Sequence, residues 1–133
     1  MKRRRFILAA AATVAVISVP VIYYSRRHKH HSYPPLIMPR ILGEFCDESV
    51  IREIGKNYRG RVTQEDNEAQ LKELLLSNHQ GKISETSRSE VIKLLDKKIT
   101  EEFHNNQTTI EKGWILSITE ARQCALFSIT NPN

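Results

Sequence analysis

Thr108-Thr109-Ile110-Glu111-Lys112-Gly113-Trp114-Ile115-Leu116-Ser117-Ile118-Thr119-Glu120-Ala121-Arg122 is the stretch on which the fold turns. Two short β-prone runs, Thr108–Ile110 and Trp114–Leu116, flank Glu111-Lys112-Gly113, the layout of a hairpin around a tight turn. Gly113 supplies the backbone freedom that such a turn needs. Ser117 and Glu120 stand at the spacing of a capping box, so a helix begins where the second run ends. Ile118, Ala121, Ala125 and Ile129 are then its expected inward face, and Pro132 closes the chain. Trp114 supports two readings. One is a structural corner that pins hairpin to helix; the other is a partner contact, with Arg122 beside it, because Trp and Arg are the common anchors of interfaces.

Upstream the 3.6-residue period takes over. Ser87 and Glu90 form a second capping-box pattern, opening a helix with Ile92, Leu95, Ile99 and Phe103 in one stripe. Polar Asn105 to Thr108 ends it. Thr63 with Asp66 signals an earlier helix that carries Ala69, Leu71, Leu74 and Leu75 and stops before Gly81. Asp47 is the expected N-cap of another, with Val50, Ile51, Ile54 and Tyr58 on one face. Leu36 to Phe45, interrupted by Pro39, reads as a first short helix ending near Cys46. The expected fold class is therefore mainly α: a small bundle of four or five short helices with one short β-hairpin, over residues 36–133.

Charge separates this body from what precedes it. The chain has 133 residues and a formal charge of +5, yet its first 32 residues hold seven Lys or Arg and no acid. The remaining 101 residues carry 13 basic and 15 acidic groups, a net of −2. A nucleic-acid binder needs its positive charge on the folded surface, so that class is excluded as the main reading. One domain of this size also leaves little room for a deep substrate cleft.

Residues 1–25 are expected to be an export signal or membrane anchor. A basic cluster, Lys2 to Arg5, precedes Phe6 to Tyr24, 19 residues without a charge. As a helix that run reaches about 28 Å, close to the hydrocarbon thickness of a bilayer. Arg3, Arg4, Phe6 and Ile7 match the twin-arginine signal pattern in part, with Lys2 and Leu8 departing from it. The basic residues after the run (Arg26, Arg27, Lys29) favour that route over the general secretory one. Two fates fit the residues: cleavage, for which Val16 and Ser18 offer small side chains, and retention as a single-pass anchor with Tyr23 and Tyr24 at headgroup level. The expected location is outside the inner membrane, in the bacterial periplasm or envelope. Residues 26–35 form a basic linker ending in Tyr33-Pro34-Pro35; His28, His30 and His31 in it read as part of a solvated tether.

The body contains no Gly-rich phosphate loop, no nucleophile elbow and no Cys-x-x-Cys. His79 and His104 lie at no metal-ligand spacing with each other or with the cysteines. No catalytic, cofactor-binding or metal-binding residue is expected in this chain. Cys46 and Cys124 admit a disulfide, which would close a large loop, or two reduced thiols used as small apolar residues.

The Gly113 to Ala125 stretch, the amphipathic helices before it and the arginine-bearing leader together resemble the gluconate 2-dehydrogenase subunit 3 family. A weaker echo is Ile51-Arg52-Glu53-Ile54-Gly55-Lys56-Asn57-Tyr58. The resemblance lies in general layout more than in a strict motif. It implies a small, exported, mainly helical subunit that binds no cofactor itself. FAD would sit in a large glucose-methanol-choline-type partner that oxidises a sugar or alcohol and shares this chain's export signal. The rival reading is a stand-alone, membrane-anchored envelope protein with a scaffolding role; a small periplasmic enzyme is a third.

Overall fold

A computed structural model describes residues 33–133; the expected signal or anchor helix lies outside the described residues. The elements in order are α1 (Arg40–Phe45), α2 (Glu48–Arg61), a 3-10 turn (Thr63–Glu65), α3 (Glu68–Leu76), β1 (Ser77–Asn78), β2 (Gly81–Lys82), α4 (Arg88–His104), β3 (Thr108–Glu111), β4 (Trp114–Ser117) and α5 (Ile118–Thr130). The body is mainly helical, as the periodicity implies.

Two antiparallel strand pairs are present where one hairpin was expected. The additional pair, β1 with β2, is only two residues long on each side. It forms without period-2 alternation: the Asn78 side chain accepts from the Gln80 amide at 2.8 Å, and Gly81 takes φ 126°. The Ile83 amide then donates to the Leu76 carbonyl at 3.0 Å and ties the turn back to the end of α3.

The helix α5 occupies the centre. It packs against α2, α3 and α4, and buries residues on nearly all sides: Thr119, Glu120, Ala121, Gln123, Cys124, Ala125, Leu126, Phe127 and Ser128. The expected one-sided face understates this. Ala121 and Ala125 are inside, but Ile118 and Ile129 are only partly buried. Small residues at 121, 124, 125 and 128 let neighbours approach the helix from several directions, and Phe127 fills the remaining space.

The helix α2 buries Ile51, Ile54, Gly55 and Tyr58, and Asp47 is its N-cap residue as expected. On α4 the stripe is displaced: Val91, Leu94 and Leu95 are buried, while Ile92 and Ile99 are half-buried and Phe103 is exposed. Two apolar stripes one residue apart compete along this helix, and contact with α5 selects the first. Ser87 is the N-cap residue of α4 but makes no side-chain capping bond. Thr63–Glu65 turns as a 3-10 segment, and Asn67, whose side chain accepts from the Gln70 amide at 3.2 Å, caps α3 instead. Tyr33–Pro35, expected in the linker, already packs on the body. The Tyr33 ring meets Phe127 edge-on at 5.2 Å, and the Pro35 carbonyl accepts from Gln123 Nε2 at 2.9 Å.

Candidate functional site

The hairpin and the start of α5 form a rigid corner. Helix α4 stops with Asn106 at φ 56°; the Gln107 amide donates to the Glu102 carbonyl at 2.8 Å and the Asn106 amide to the Phe103 carbonyl at 3.3 Å. That is a Schellman ending built on asparagine. The chain then enters β3, turns through Lys112 (φ 52°) and Gly113 (φ 84°), and returns as β4. Two left-handed residues in a two-residue loop suit the right-handed twist of the flanking strands.

Ser117 and Glu120 close the capping box on α5: Glu120 N donates to Ser117 Oγ at 3.1 Å, and Ser117 N donates to Glu120 Oε2 at 2.9 Å. From α4, Glu102 accepts from Thr119 N and from Thr119 Oγ1, both at 2.8 Å. Ile118 N donates to the Gln107 carbonyl at 3.4 Å. The amides of the first turn of α5 are thus engaged within the fold, so this helix end is not an anion site.

Cross-strand register decides what the hairpin shows outside. Thr109 faces Leu116 and Glu111 faces Trp114, while Ile110 stands directly opposite Ile115. Leu116 and Glu111 point into the body; Ile110 and Ile115 point away, 67% and 65% exposed. Trp114, at the tip, keeps 40% of its surface exposed. Two opposed isoleucines therefore form an apolar patch on a stiff support, while the register sets Trp114 on the other face with Glu111.

Beneath that patch sits Glu111, wholly buried. It accepts hydrogen bonds from Asn57 Nδ2, from Arg61 Nη2 and, at 2.9 Å, from Thr109 Oγ1. Burial by itself would push this carboxyl up; the hydrogen bonds from Arg61, Thr109 and Asn57 outweigh it and hold the carboxyl below the ordinary range. Arg122 is likewise engaged inside the chain. Its Nε and Nη2 donate to Glu65 at 2.9 and 2.8 Å, a bidentate pair, and Tyr58 Oη donates to the same carboxylate at 2.7 Å. Arg122's hydrogen bond lowers Glu65, and burial raises Tyr58. The guanidinium offered as a partner contact is a strut between α5 and the 3-10 turn.

A cleft of ≈ 340 Å³ opens beside the end of α3, lined among others by His79, Lys98, Glu102 and Arg122. Lys98 Nζ donates to the carbonyls of Leu74, Leu75 and Ser77, so its three protons cap α3. Burial, then the nearby Arg122, lowers its pKa. With Glu102 capping α5 and Arg122 held by Glu65, three of the cleft's charged groups serve helix ends and struts.

Cys46 and Cys124 are thiols in the structure, both within one apolar cluster. Burial raises both, Cys124 well above its ordinary value, which disfavours a thiolate at neutral pH. Among the described residues no group of His, Cys, Asp and Glu is placed to hold a metal ion, and no helix is long and apolar enough to cross a membrane. Arg3, Arg4, Phe6 and Ile7 lie outside those residues.

Sequence reasoning passed over Glu65, Lys98 and Glu111, whose long-range partners are 21 to 57 residues distant and leave no local signal. The opposed pair Ile110 and Ile115 came from the structure: the sequence places Glu111 in the turn, whereas Glu111 belongs to β3 and the two-residue Lys112-Gly113 loop pairs the isoleucines. A second exposed apolar pair, Ile41 and Phe45 on α1, carries the i, i+4 spacing of a helix face. No protein-family model, curated protein or solved structure matches the chain.

Proposed function

We propose that this chain is a non-catalytic docking subunit, exported and membrane-associated, whose hairpin seats a larger enzyme. The reading rests on one observation: Ile110 and Ile115 are held outward on a hairpin whose base is locked by two helix ends and a buried carboxylate. Burying an exposed isoleucine contributes about 1.5–3 kcal/mol, and a preorganised support loses little entropy when a partner closes over it. The partner class follows from the resemblance above: a large flavin-dependent sugar or alcohol dehydrogenase that holds the FAD. Arg3, Arg4, Phe6 and Ile7 would then direct both proteins through the twin-arginine route, which carries folded cargo.

The test is capture of the partner by the tagged full chain from the membranes of its own cells. The expected result is co-purification of a larger protein with a flavin absorbance spectrum. Replacing Ile110→Ser together with Ile115→Ser reduces that capture roughly tenfold or more, with the helical circular-dichroism signal retained. A chain recovered alone overturns this reading in favour of the stand-alone envelope protein.

A further inference from the structure

The two exposed apolar pairs lie at opposite ends of α2. Arg61, its last residue, reaches the hairpin through Thr109 and Glu111. Its N-terminal half meets the other pole: Tyr33 Oη donates to Glu48 Oε1 at 2.9 Å, the Tyr33 ring meets Phe127 edge-on, and Arg52 Nε donates to the Asn131 carbonyl at 2.6 Å. The helix between them has 14 residues, a span of about 20 Å. Phe45, 72% exposed, ends α1 three residues before Glu48, and Ile41, 57% exposed, stands one turn earlier. The chain therefore enters the body at the pole that carries Ile41 and Phe45.

The sequence before that entry specifies the occupant. Eight residues separate Tyr24, the end of the charge-free run, from Tyr33, a reach of at most about 30 Å. Between them lie Arg26, Arg27 and Lys29 with no acid, and near an anionic membrane each basic residue contributes about 1 kcal/mol of attraction. Arg40, on the same short helix as Ile41 and Phe45, keeps its side chain 64% exposed while it pairs with Asp96 at 3.3 Å. Exposed Glu44 flanks the pair and limits its depth to the headgroup boundary.

We infer that α1 is a membrane-contact face, with Ile41 and Phe45 seated in the interfacial layer of an anionic bilayer, so that the hairpin points away from the lipid. This inference rests on the membrane-anchored form of the function proposed above. It orients the subunit: lipid at one pole, partner at the other.

The full chain reconstituted into phosphatidylcholine–phosphatidylglycerol vesicles tests it, with acyl chains brominated near the headgroup end. Wild-type emission, from Trp114 alone, is expected to be unquenched, because it reports the far pole. In Phe45→Trp the added emission is expected to fall roughly twofold or more, as for a side chain seated about 5–10 Å into the boundary. Flotation of the vesicles is read in the same samples. If the chain floats and residue 45 is unquenched, or is quenched no more than Trp114, the inference is overturned while the anchor stands. If the chain does not float, the anchor and the inference both fall, and capture of a flavoprotein through the hairpin is unaffected.

Discussion

Gly55 faces the backbone of α5 where Cys124 meets Ala125. A β-carbon there would overlap the Cys124 carbonyl and stand 2.9 Å from the Ala125 nitrogen. Both obstacles are main-chain atoms of a central helix, which cannot swing aside as a side chain can. Gly55→Ala is expected to lower the unfolding free energy by about 1–3 kcal/mol or more, read as a drop in the urea midpoint. Trp114 and Arg122 separate at the same scale. The indole is open to a partner, whereas the guanidinium is committed to Glu65.

Local chemistry set the elements where it was strong, and long-range packing set them elsewhere. The Ser117–Glu120 box forms because both halves lie within one turn, so its sequence signature and its geometry coincide. Ser117→Ala is expected to cost about 1 kcal/mol of stability, measured by thermal or urea unfolding. The Ser87–Glu90 pattern has the same spacing but forms no side-chain bond at Ser87. Thr63–Asp66 is a further case: the chain spends that signal on a 3-10 turn that aims Glu65 at Arg122, and the helix waits for Asn67. The stripe of α4 moved by one residue for a comparable reason, since a helix with two candidate faces takes the one its neighbour fills.

Across the whole molecule, Glu65 and Glu111 join α2, the 3-10 turn, the hairpin and α5. Both carboxyls are held low, Glu65 by Arg122's hydrogen bond and Glu111 by hydrogen bonds that outweigh its burial. In the unfolded chain they return to about 4.3, so there the unfolded state binds more protons than the folded one. Their contribution is fully present above that pH and is lost as pH falls through the lower folded values. The urea midpoint is expected to hold from neutrality to about pH 5 and then decline. Glu65→Gln, although less stable at neutrality, should show a shallower decline. An equally steep one would place the acid sensitivity elsewhere.

The charge partition at residue 32, the helix period, a hairpin turning near Lys112 and Gly113 and the capping box over Ser117 were all determined by the sequence alone, the exact loop length excepted. Each depends on neighbours within a few positions, where residue type and backbone geometry are directly linked. Only the tertiary structure decided that α5 is enclosed on nearly every side, that Arg122 is a strut, and that Glu111 is buried yet charged. It also decided that the two exposed apolar pairs occupy opposite poles. These depend on which surfaces meet across tens of residues, and burial, the quantity that governs packing and charge alike, exists only once they have met.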